Sequence, residues 1–99
     1  MAASSNPNKI TAAATGQSDH INLSPGSHVL FITGGGTYAG TLQIGNGTVF
    51  NDAYLNDAAA DFGSTGNNSF EVPGGCYCMQ VDTYGSSAIT LEVLSSKVF

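Results

Sequence analysis

From Asp19 onward the chain alternates apolar and polar residues in short runs, each closed by Gly, Pro, Asn or Asp. The pattern is clearest near the end, where Ile89, Leu91 and Val93 point one way and Thr90 and Glu92 the other. Tyr38, Gly40, Leu42 and Ile44 form a similar stripe, as do Tyr77, Met79 and Val81, with a shorter one at Phe70 and Val72. A period of two is the signature of a strand with one face buried. It predicts strands near Ile21 to Leu23, Ser27 to Thr33, Thr37 to Ile44, Thr48 to Asn51, Ser69 to Val72, Tyr77 to Thr83 and Ala88 to Leu94. The turns between them are Ser24-Pro25-Gly26, Gly34-Gly35-Gly36, Gly45-Asn46-Gly47, Pro73-Gly74-Gly75 and Gly85-Ser86-Ser87. Asn46-Gly47 reads as a tight hairpin, since both residues tolerate positive φ. The fold class expected is therefore all-β: a small antiparallel β-sandwich of about seven strands, jelly-roll or Ig-like.

Two segments depart from this rhythm. Residues 1–18 are mostly Ala, Ser, Thr, Asn and Gln, so they are expected to form an extended N-terminal arm ahead of a sandwich domain at 19–99. Ile10 is its candidate anchor, either on a partner subunit or on its own domain. Residues 52–68, "DAYLNDAAADFGSTGNN", lack alternation and allow a short helical turn. They are expected to be the long loop of the sandwich, where contact surfaces concentrate. Tyr54, Leu55 and Phe62 either form such a partner-binding surface or lid one end of the core.

Composition narrows the range of functions. Charged residues make up only 9% of the chain, far below the roughly 25% of ordinary soluble domains. A surface of hydroxyls, amides and backbone suits a subunit packed among other subunits. Lys9 and Lys97 face seven carboxylates, giving a net charge of −5. Two lysines at opposite ends of the chain cannot neutralise a row of phosphates, so no nucleic-acid partner is expected, and no anionic membrane surface either. The N-terminus has no apolar signal-peptide core, so synthesis in the cytoplasm with reduced thiols is expected.

The only cysteines, Cys76 and Cys78, stand one residue apart in "GGCYCMQV". With Tyr77 and Met79 facing the core, both thiols fall on the opposite face. On an extended strand their Cα atoms are about 6.5–7 Å apart, at the limit of disulfide reach. A structural zinc site wants four ligands, commonly as two C-x₂₋₄-C pairs. His20 and His28 do not have that spacing, and would serve only if the fold brought all four side chains together. The simpler expectation is two reduced thiols on a sheet face, buried under the long loop or against a neighbour. Asp52, Asp57 and Asp61 lack the spacing of a calcium loop. Glu71 with Glu92 or Asp82 would make a hydrolytic pair only in a shared cleft. Gly34-Gly35-Gly36 leads into a strand rather than a G-K-[ST] helix, so no phosphate loop is expected. Catalytic, cofactor-binding and metal-binding residues are accordingly assigned as none, and the chain is expected not to be an enzyme.

The runs "SHVLFITGGGTYAGTLQIGNGTVFNDA" and "SFEVPGGCYCMQVDTYGSSAITLEVLS" together resemble small β-sandwich structural proteins of tailed-phage virions. The shared rhythm is a strand, a glycine-rich turn, a W/Y-x-G-x-x-x-L-Q strand, a long loop, a V-x-P-G-x-Y strand and a closing I-T-V strand. Tyr38, Gly40, Leu42 and Gln43 match the first motif, and Val72, Pro73, Gly74 and Tyr77 the second with one residue added. Ile89, Thr90 and Leu91 match the last. The likeness runs from Asp19 to Leu94. Tyr38 replaces the usual tryptophan, and Cys78 stands where such proteins often carry a basic residue. What the resemblance implies is a non-enzymatic capsid decoration, or cement, protein on the virion exterior. Its expected partners are the major capsid protein and neighbouring copies of itself, as a dimer or trimer. Rival readings are a tail, fibre or adaptor subunit, told apart by copy number, and a carbohydrate- or host-surface-binding module using Tyr54, Phe62 and Tyr84.

Overall fold

The computed structural model describes residues 9–97 apart from 56 and 67. Among the described residues ten strands follow one another: β1 (Lys9–Ala12), β2 (Gly16–Gln17), β3 (Ile21–Gly34), β4 (Ala39–Gly45), β5 (Phe50–Asp52), β6 (Tyr54–Leu55), β7 (Ala58–Ala59), β8 (Asp61–Gly63), β9 (Ser69–Thr83) and β10 (Ile89–Lys97). All pairings are antiparallel. Among the described residues there is no helix, and the fold is all-β.

Two long strands join the layers of a sandwich. The first layer runs β1-β10-β3-β9 and uses the second half of β3 with the first half of β9. The second layer places the later half of β9 between β2 with the start of β3 on one side and β4 on the other. Beyond β4 lie β5 and β8. Both long strands bend at one corner, where the β3–β9 register slips between Leu23 and Ser27. The expected turns at Ser24-Pro25-Gly26 and Pro73-Gly74-Gly75 are thus bends within continuous strands. Gly74 is required there because a Cβ would sit 2.2 Å from the Ser24 carbonyl oxygen. The corner is tied by the Tyr77 hydroxyl donating to the Pro73 carbonyl at 2.8 Å and by His28 Nε2 donating to the Ser24 carbonyl at 2.7 Å.

Between the layers lies one core. Ile10, Leu30, Ile32, Ile89 and Leu91 from the first layer meet Ile21, Leu42, Tyr77, Met79 and Val81 from the second. β1 alternates as its sequence does, with Lys9 and Thr11 out and Ile10 and Ala12 in. The part of the expected arm at 9–12 is therefore an edge strand of the sheet, paired residue for residue with Ile89–Glu92 of β10. Residues 1–8 lie outside the described residues. Near the other end of the arm, the Met79 N–H donates to the Ser18 hydroxyl at 2.9 Å, while the Ser18 N–H donates to the Met79 carbonyl at 2.9 Å. A side chain replaces the backbone acceptor where the edge bulges, so Met79 stays satisfied inside the sheet.

The expected long loop is a second departure. Instead of a helical turn it forms three short strands. The Ala53 N–H donates to the Leu42 carbonyl, the Leu42 N–H to Ala60, and the Ala60 N–H to Ala53, each at 2.9 Å. Residues 50–53 and 60–63 thus both lie along β4, and β6–β7 are extruded from that line as a small hairpin. The edge of β4 offers these residues backbone partners that an isolated helical turn cannot match. Asp57, at φ +64°, makes the reversal between β6 and β7.

Candidate functional site

The later half of β9 is buried on both faces. On the core side stand Tyr77, Met79 and Val81; on the outer side, Cys76 and Cys78. The cover over the thiols is Phe50 rather than the 52–68 segment. Phe50 is opposite Gly45 in the β4–β5 register, and a Cβ on Gly45 would lie 2.6 Å from its ring. A glycine here lets the aromatic ring lie flat on the sheet. The His20 ring packs on Phe50 at 5.6 Å between centroids. The β4–β5 turn is a four-residue loop, in which Asn46 Oδ1 accepts from the Thr48 and Val49 N–H groups at 2.9 and 2.8 Å. Only Gly47 has positive φ there, so Asn46 serves by its side chain and not by its backbone.

Polar groups continue this outer face. Gln43 accepts from Gln17 Nε2 at 2.8 Å and donates to Asp52 Oδ1 at 3.0 Å. The Cys78 thiol points at the same Gln43 oxygen, 3.8 Å away. Thr41 donates to Asp61 Oδ1 at 2.7 Å. Burial, and then the neighbouring Cys76, push the Cys78 thiol up to about 12. Burial also raises Cys76, against the opposing pull of a hydrogen bond from the Gly47 backbone. Both thiols are free and held in the unreactive protonated form.

The fold separates the four side chains on which a zinc site would have to draw. His28 faces the interior beside Val72, its register partner on β9, whereas His20 lies on the outer face against Phe50. Each imidazole has a buried Nδ1 without a hydrogen-bond partner. Among the described residues no three His, Cys, Asp or Glu side chains gather as metal ligands would. The three loop aspartates are likewise dispersed: Asp52 on Gln43, Asp61 on Thr41 and Asp57 at the hairpin reversal. Glu71 and Glu92 share the outer face of the first layer. They stand opposite Val29 and Phe31 on the two flanks of β3, roughly 12 Å apart by strand spacing and a two-residue offset, and on an open sheet face.

Among the described residues a groove of about 450 Å³ lies between the β6–β7 hairpin and the start of β9. Its lining comes from the hairpin, Tyr54, Leu55 and Ala58–Ala60, from Asp61 at the hairpin's foot, and from Ser69, Phe70 and Glu71 of β9. Two of the four residues singled out by sequence, Tyr54 and Leu55, therefore meet here, and Tyr54 is 70% exposed. The other two do not. Phe62 is buried against Tyr38, with ring centroids 6.4 Å apart, and Ile10 lies in the core. Asp61 belongs to the segment that the sequence marked as a candidate contact surface, whereas Glu71 was expected on a strand outside it. Asn56-Asp57, between two short apolar pairs, was the signal for the hairpin. Nothing local signals that β9 lies alongside it.

No family model, curated protein or solved structure matches the chain.

Proposed function

We propose that the chain is a non-enzymatic structural subunit that docks on other protein subunits through its sheet faces. Its place in this reading is the exterior of a tailed-phage head, as a decoration protein on the major capsid protein lattice. The observation that supports docking is the outer face of the first layer. Phe31 and Leu94 stand exposed there at 37% and 56%, beside half-buried Val29. Thr11, Thr90 and Thr33 make a neutral row across the same face. Glu92 and Glu71 flank Phe31 and Val29 on either side of β3, so the face has an apolar centre with a polar and partly charged rim, the anatomy of a protein–protein contact. Association of many such copies would stabilise a shell by mass action. The virion placement itself follows from the strand rhythm between Asp19 and Leu94, and neighbouring copies of the chain remain expected partners on the same lattice.

The test is copy number in purified particles, by quantitative mass spectrometry against the major capsid protein. Hundreds of copies in fixed ratio to the shell support decoration. A dozen or fewer move the chain to the tail or portal vertex, and absence overturns the virion placement. The docking face is tested by the double variant Phe31→Ser with Leu94→Ser. Folded protein that no longer sediments with particles supports the assignment, and undiminished binding refutes it.

A further inference from the structure

The β4–β5 loop carries the only Asn-Gly pair in the chain, Asn46-Gly47. We infer that Asn46 is a site of spontaneous deamidation whose rate is set by opening of this loop, and whose product uncovers the thiols beneath it. The inference stands apart from the docking reading, since neither a partner nor a virion enters it. The reaction needs only water. The Gly47 backbone nitrogen, after losing its proton to hydroxide, attacks the side-chain carbonyl carbon of Asn46. A new N–C bond closes a five-membered succinimide, the bond from that carbon to Nδ2 breaks, and Nδ2 leaves as ammonia with a proton from water. Water then opens the ring at either carbonyl, giving aspartate or isoaspartate. Nothing is oxidised or reduced: an amide and water become a carboxylate and ammonium. Glycine favours the attack because no side chain shields its nitrogen. Asn46 is exposed, so solvent base and water reach it.

The closed loop opposes each part of the attack. Asn46 Oδ1 accepts from the Thr48 and Val49 N–H groups at 2.9 and 2.8 Å, which ties the side-chain amide to residues 48 and 49. The Gly47 backbone, whose nitrogen must attack, is hydrogen-bonded to the Cys76 thiol. These three bonds have to open before the ring can close. The loop spans four residues between the paired Gly45 and Phe50, and Phe50 covers Cys76 and Cys78. Isoaspartate carries the main chain through the former side-chain carbon, so it lengthens this short loop and adds a negative charge. Both changes fall where Gly47 meets Cys76 and where the chain turns into Phe50.

The experiment incubates three samples at pH 8: the folded full chain, the chain unfolded in urea, and the free peptide Ile44-Gly45-Asn46-Gly47-Thr48. Peptide mapping by mass spectrometry reads the mass gained when an amide NH₂ becomes OH. Conversion at Asn46 is expected in all three, slower in the folded chain by roughly tenfold or more, because several ordinary hydrogen bonds must open first. Cys76→Ala removes the acceptor for Gly47 and should speed conversion of the folded chain about two- to tenfold. Cys76→Ser keeps an acceptor and should stay near the native rate. Folded-state conversion as fast as in the peptide, or none at Asn46 in urea, overturns the inference. Equal rates in the alanine variant and the native chain, or equal acceleration by both variants, overturn the part given to Cys76. Should the alanine variant not fold, the ratio of urea to folded rates in the native sequence still decides the gating. The isoaspartyl form, separated by its added charge, should react with iodoacetamide at Cys76 faster than the unconverted chain, and equal labelling overturns the coupling to the thiols.

Discussion

Ile10→Ala separates the two fates open to the N-terminal segment, anchor on a partner or strand of its own domain. Ile10 is 2% exposed and lies opposite Leu91 in the β1–β10 pairing. The change removes its γ and δ carbons from the core. At about 0.8 kcal/mol per buried methylene the transfer loss is roughly 2.4 kcal/mol. The residual cavity brings the expected cost to about 3 kcal/mol. β1 is a four-residue edge strand, so the cost is capped by that of releasing it altogether. For a domain with a total stability of about 5–15 kcal/mol this is a large fraction. With a urea slope of roughly 1.5 kcal/mol/M, the unfolding midpoint of the isolated protein should fall by about 2 M. Thr11→Ala, on the exposed side of the same strand, should move it by less than about 0.5 kcal/mol. A loss below about 1 kcal/mol for Ile10→Ala in the isolated protein would refute the reasoning, because a core isoleucine cannot be cut that cheaply. The same geometry predicts that deleting residues 1–18 lowers stability as well as altering any docking, since it strips β1 from β10 and uncovers Ile89 and Leu91.

Ser18→Ala leaves the Met79 N–H inside the sheet without its 2.9 Å acceptor. It should cost about 1–3 kcal/mol and speed hydrogen exchange at Met79 in particular; unchanged protection at that amide would refute the role given to the hydroxyl. Buried, protonated Cys76 and Cys78 should react with iodoacetamide at pH 8 far more slowly in native protein than in urea, and rapid native labelling would contradict their burial. The Cys78 thiol is raised from 9.0 to about 12 on folding, so above pH 9 the unfolded chain holds fewer protons than the native one. Stability is then full below pH 9 and falls as pH rises towards 12, with burial of Tyr77 acting in the same direction. Urea midpoints measured from pH 8 to 11 should decline, less steeply in Cys78→Ala, and a flat profile would refute the assignment.

Alternation at Ile89–Val93, Tyr77–Val81 and Phe70–Val72 determined the fold class and which side chains enter the core, because a period of two is a local property of the backbone. It also placed both thiols on the face away from Tyr77 and Met79. Tertiary structure decided what local pattern cannot carry. Whether Pro73-Gly74-Gly75 ends a strand or bends one depends on the Ser24 carbonyl that Gly74 must pass, a residue distant in sequence. Whether Ala58–Ala60 coil or extend depends on the free edge of β4 that Ala53 and Ala60 find. The cover on the cysteines depends on how the β4–β5 loop folds Phe50 over Gly45. Tyr54 joins Glu71 in one groove only because β9 passes beside the hairpin. Pairings between distant segments form the site, and the sequence supplied the side chains without stating which of them would meet.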